Sequence, residues 1–185
     1  MKLVSRQAGR ELAFDIAAQV QNLGATVASN RLRDLSVSFA ATGDSSEFKR
    51  HRLQSCRVEL GRQGQPVGTV TASGAFDPTG NTNDITASAD LFLSRLLAIV
   101  PQPGWEVSSG RAQMNTKVAQ RGAAQTVSGT FGLGALTGRH GEMAFTNLEG
   151  NATFDIAMPS ANVIDVQRFG LTLSPTAREI GRAHV

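Results

Sequence analysis

The chain has no tyrosine, one tryptophan and one cysteine, and each scarcity removes a class of protein. Outer-membrane barrels carry girdles of Tyr and Trp at both interfaces, so a chain this poor in them does not read as one. The lone Cys56 cannot close an internal disulfide and leaves the redox compartment open. There is no HExxH, no paired CxxC and no GxSxG, which leaves neither a metal site nor a serine hydrolase to argue for. Charge is not in excess: 18 Lys and Arg against 15 Asp and Glu give +3, too little and too scattered for nucleic acid. The longest apolar run, 91–100, is broken by Ser94 and Arg95 and falls short of the roughly 20 residues that span a bilayer. The opening MKLVSRQAGREL lacks the apolar core of a secretory signal.

What is abundant is glycine, at 19 residues, with nine phenylalanines and many Thr, Ser and Val, a mixture that favours strands and turns. Residues 64–77, GQPVGTVTASGAFD, set the pattern: Val70, Ala72 and Phe76 point one way along an extended chain, and Thr69, Thr71 and Ser73 the other. The same alternation predicts a strand of about ten residues from Leu12 that closes at 22–24, a strand from Leu35 to Ala41 ending at GDSS (43–46), and another from Leu53 to Leu60. DPTGNTND (77–84) reads as the turn of a hairpin whose second strand carries Ile85, Ala87, Ala89 and Leu91. At 94–100 the period changes to that of a short helix, with Ser94 as its cap, Leu96, Leu97 and Val100 on one face and Pro101 as its stop. Further strands are expected around 112–118, 127–133, 143–145, 154–158 and 169–173. About ten strands with short connections imply an all-β fold, a long, curved antiparallel sheet, since parallel strands need crossovers of a dozen or more residues.

No residue is expected to be catalytic, no cofactor is implied, and no metal site is expected. His51 (in FKRHR) and His140 (in GRHGE) read as solvated histidines. Cys56 reads as a small packed side chain, off the parity of Val58 and Leu60. GLGALTG (132–138) misplaces its last glycine for a dinucleotide loop. The basic run KRHRLQSCR (49–57) reads first as a solvated or edge-protecting strand, then as a contact for anionic lipid headgroups. SGAF (73–76) and SGTF (128–131) hint at an internal repeat.

The segment 64–110 resembles the repeat of the AsmA-like and TamB-like proteins of double-membraned bacteria. The similar features are Gly-x-Pro before a strand, a small-Gly-x-Phe-Asp strand end, a short helix ending in Pro, and a strand opening with Ser-Gly at 109–110. The resemblance implies a bridge-type lipid carrier whose groove holds acyl chains on an apolar floor, the candidates being Val70, Ala72, Phe76, Ile85, Ala87, Ala89, Leu91, Met114, Val118, Phe131, Phe154 and Ile156. It further implies phospholipid as the partner, no nucleic acid, a periplasmic location, and inner-membrane anchoring by regions outside this chain. A secreted β-solenoid or β-sandwich adhesion or binding module is the alternative reading. Residues 1–178 are expected to be one section of such a repetitive β-groove. The tail EIGRAHV (179–185) back-translates naturally into a common sequencing adapter and reads as read-through on a metagenomic fragment.

Overall fold

A computed structural model describes residues 1–6, 10–27, 30–160 and 163–175. These form one open antiparallel sheet with a single short helix. The strands are β1 (Lys2–Arg6), β2 (Glu11–Val27), β3 (Asn30–Ser46), β4 (Arg50–Arg62), β5 (Gln65–Asp77), β6 (Thr82–Phe92), β7 (Trp105–Arg121), β8 (Ala124–His140), β9 (Met143–Ser160) and β10 (Val163–Pro175), with helix α1 (Leu93–Leu97) after β6. Their order in the sheet is their order in the chain, β1 to β10. The expected all-β, antiparallel architecture is therefore the one observed. Residues 179–185, read above as adapter sequence, lie outside the described residues.

The strands are longer than alternation alone predicts. β2 does not close at 22–24 but runs through it, because Asn22 takes a left-handed φ of 56° and absorbs a register shift after Val20. Asn tolerates that conformation better than most residues, and the outcome is a bulge instead of a turn. GDSS likewise belongs to β3, with Gly43 to Ser46 paired to β2 on one side and β4 on the other. The separate strands expected at 143–145 and 154–158 are one strand, β9, bent at Asn147 (φ 50°). β1 has no counterpart among the expected strands. SGAF and SGTF fall on β5 and β8, which run in opposite directions, so they do not mark a translational repeat.

The expected turn at 77–84 forms between β5 and β6. Its first residue, Asp77, accepts the amide hydrogens of Thr79 and Gly80 on Oδ1 at 3.0 and 2.9 Å, the local bond that makes Asp a turn former. The helix differs from expectation in detail. Its N-cap is Phe92, with no side-chain cap, so Ser94 lies inside it. The period fails after Leu97, and it is Ile99, 6% exposed, that turns inward while Val100 stays 40% exposed. Leu96 and Ile99 pack with Leu32, Leu35, Leu60 and Val67 into a buried apolar cluster. Two arginines tie the segment to the β4–β5 hairpin: Arg62 donates to the Ala98 carbonyl at 3.0 Å and Arg95 to the Pro66 carbonyl at 2.6 Å.

Candidate functional site

Residues directly opposite one another on antiparallel neighbours point to the same side of a sheet, so the register sorts side chains into rows. One row runs Ala18, Phe39, Val58, Val70, Ala89, Met114, Phe131, Ala152 and Leu171. It crosses β2 to β10 without a polar side chain. Two residues further along β5, Ala72 aligns with Ile16, Ala41, Cys56, Ala87, Thr116, Gly129, Phe154 and Phe169. The row of Gly74 joins Leu3, Phe14, Gly43, Leu53, Ile85, Val118, Val127, Ile156 and Val166 across all ten strands. That of Gly68 runs from Val20 through Leu60, Leu91 and Leu133 to Leu173. The single polar side chain in these four rows is Thr116, whose buried hydroxyl finds no partner among the described residues.

Every candidate floor residue lies on this face. Phe76 differs from the rest: its row holds Ser45, His51, Asn83, Gln120 and Gln125, where the face turns polar. His51 stacks on Phe76 with ring centroids 6.2 Å apart, and Asn83 donates to Gln120 Oε1 at 2.7 Å. Ser45 Oγ and Asn83 Oδ1 are buried there without partners among the described residues. At the opposite end α1 folds over the face, with Leu93 beside Gly110 and Leu136. Sequence reading missed Phe14, Phe39, Val127 and Phe169 as members, although the same alternation carries them. It also put Cys56 on the wrong side: Cys56 faces Ala41 and Ala72 and shares the apolar face with Val58 and Leu60.

Large side chains on this face lie across glycines of the next strand. A Cβ at Gly43 would stand 2.6 Å from Phe14 Cζ, one at Gly129 2.7 Å from Phe154 Cζ, and one at Gly68 2.6 Å from Leu91 Cδ2. The glycines thus let bulky neighbours lie flat. The face is nonetheless open: Val70 is 44% exposed, Met114 40%, Phe131 39% and Phe169 67%. The chain exposes 12845 Å², where a compact globular protein of its mass would expose roughly 8,500 Å².

The opposite face is polar. The row of Thr69 comprises Gln19, Ser38, Glu59, Asp90, Gln113, Gly132, Asn151 and Thr172. Cross-strand ion pairs stud it, among them Asp90–Arg111, Glu106–Arg139 and Asp155–Arg168. β4 is an interior strand, so the basic run does not protect an edge. Arg50 pairs with Asp77 at 3.4 Å, Arg57 donates to Glu59 at 2.7 Å, and Lys49 sits in the preceding turn. A cleft of about 600 Å³ beside the run is lined by Asp44, Asp77 and Asp84 as well as Arg50, Arg52 and Arg121, so it has no excess charge of either sign. No group of three or more metal-ligating side chains converges among the described residues.

These pairs set an acid limit on the fold. Hydrogen bonding from Arg111 holds the Asp90 carboxyl below the ordinary carboxylate range, Arg139 does the same for Glu106, and the Gly80 amide is the largest cause for Asp77. A carboxyl whose folded pKa is depressed contributes stability that is complete above its unfolded pKa and lost as pH falls through the folded value. Melting temperature is therefore expected to be unaffected by these three groups above about pH 5 and to fall below about pH 4. Asp77→Asn should flatten part of that acid limb, and an unchanged limb would show that the turn bonds do not couple to folding.

No protein-family model, curated protein or solved structure matches this chain.

Proposed function

We propose that this chain is a section of an AsmA-like envelope protein that carries phospholipids on the apolar face of its sheet, between inner and outer membranes, in support of outer-membrane biogenesis. The observation that carries the reading is the set of four apolar rows crossing nine or ten strands, open to a ligand and backed by a polar face. Along a strand these rows span about 20 Å, enough for an acyl chain, since one leaflet of a bilayer's hydrocarbon core is about 15 Å deep. Acyl chains lie on the floor and headgroups stay in water, the ordinary division for an amphiphile. Periplasmic location and anchoring through regions outside this chain belong to the same proposal, and the protein acts as a carrier, not an enzyme. The alternatives fit less well. A solenoid stacks short coils in parallel register, and a sandwich lays a second sheet on the apolar face; the described residues contain neither arrangement.

The test is to purify the chain without detergent from a double-membraned bacterium and extract it for mass spectrometry. Bound phospholipid is expected, displaceable by a fluorescent fatty-acyl probe. Protein that is folded by circular dichroism, free of lipid and silent toward the probe would sink the reading.

A further inference from the structure

The four apolar rows are bounded differently at the two ends of the strands. At one end a wall of side chains stands on the face: Leu96 and Ile99 pack over Leu32 and Leu35 of β3, Leu60 of β4 and Val67 of β5. Leu93 continues it, beside Gly110 of β7 and Leu136 of β8. At the other end the same strands, β3 to β8, bring Ser45, His51, Phe76, Asn83, Gln120 and Gln125 into one row. None of these six is an acid, a lysine or an arginine. An amphiphile fits between such ends in one direction only, with its chain ends against the wall and its polar end on the row. Two members of the row already engage each other: Asn83 donates to Gln120, whose own Nε2 donates to the Gly122 carbonyl at 3.0 Å. Hydrogen-bond donors are left on Ser45, His51 and Gln125, for which the described residues supply no acceptor. Ser45 is 8% exposed, and a buried hydroxyl left unpaired by its own fold calls for a partner from outside it.

We infer that this row seats the uncharged glycerol-ester end of an acyl lipid, laid along the strands with its chain ends against α1. The inference rests on the carrier reading above and names the part of the lipid that the face recognises. An ester carbonyl accepts hydrogen bonds and presents no donor, which matches the donors left on Ser45, His51 and Gln125. Ser45 and His51 are directly opposed on β3 and β4, about 5 Å apart at their Cα atoms, close enough to serve the two ester carbonyls of one glycerol. Asn83 Oδ1, an acceptor without a partner among the described residues, repels a carbonyl and leaves β6 out of the seat. The row holds no fixed charge to attract or repel a phosphate. The headgroup therefore projects past the turns at 47–49 and 78–81 into water, and its charge goes unread.

The test compares ester-linked and ether-linked phosphatidylcholines of one chain length as competitors for the fluorescent fatty-acyl probe on the full chain. The ether lipid keeps the chains and the headgroup and lacks both carbonyls. It should compete about tenfold less well, the loss of one or two neutral hydrogen bonds. Ester-linked phosphatidylglycerol should match ester-linked phosphatidylcholine within about twofold, since the row reads no headgroup charge. His51→Leu and Gln125→Leu should each narrow the ester-to-ether gap. Ser45→Ala should narrow it too while raising the melting temperature of the lipid-free protein, because it removes an unpaired buried hydroxyl; a purely structural serine would change the second reading and not the first. A phosphatidylcholine with a photoreactive diazirine at its chain ends should label residues 93–99, mapped by peptide mass spectrometry, and not 45–51 or 120–125. Ester and ether lipids that compete equally, or chain ends that label the polar row, overturn this inference and leave the carrier reading standing. A probe that no lipid displaces sinks both.

Discussion

Ala89→Asp is expected to abolish retention of phospholipid while Thr86→Asp, three residues away, keeps it. Ala89 lies between Val70 and Met114 on the apolar face, where a carboxylate finds no donor and an acyl chain laid over it would have to desolvate it. Burying an unpaired charge costs far more than the contacts of a few methylene groups return. Ala87 is a weaker probe, because the unpartnered hydroxyl of Thr116 stands opposite and offers a bond. Thr86 points to the other face, opposite Lys117, so its replacement gains a cation for a neighbour. Both variants should fold, since Ala89 lies on an open floor and its carboxylate remains in water when no lipid is bound. The measurement is phospholipid per mole of folded protein by mass spectrometry. Equal retention by the two variants would remove the apolar face from the ligand's path.

Gly129→Val is expected to destabilise the sheet by about 3 kcal/mol or more, at the upper end of what overpacking costs. A Cβ at Gly129 would overlap the Asn115 carbonyl and stand 2.7 Å from Phe154 Cζ. The first of these is backbone in the middle of a paired ladder and cannot swing aside. Gly134→Ala, on the same strand, meets nothing within 4 Å and should be neutral or mildly stabilising, as replacing a strand glycine ordinarily is. Denaturant midpoints followed by circular dichroism separate the two. Coincident midpoints would mean that Phe154 does not lie over Gly129 in solution.

The faces of the sheet were legible from residues 64–77 because alternation has only two phases, and a strand that is apolar on one phase and Thr or Ser on the other fixes both. The antiparallel order followed from the short connections. Strand ends and bends were not legible. Asn22, Asp34, Ala135 and Asn147 all take left-handed backbone within strands, and of these only Asn and Asp carry even a weak signal for it. Ala135 carries none. Each bulge reverses the phase locally, which is why Leu136 joins the apolar face although Leu133 does. The short helix misled for a related reason: with five residues it is less than two turns long, and the turn after it, not the helical period, decides that Ile99 is buried. The polar row at Ser45, His51 and Asn83 is assembled from three strands, and no single stretch of sequence announces it.

Each described strand pairs only with its neighbours in sequence, and packing beyond neighbouring strands is centred on α1 and the turn after it. In such a chain damage does not travel far. Free energy is close to a sum over hairpins and their shared seams, as in linear repeat arrays, so unfolding should begin at an end and advance strand by strand instead of in one cooperative step. Synthesis can proceed the same way, each new strand settling against the one before it, and lengthening or shortening the sheet by two strands preserves the facing of every residue that remains.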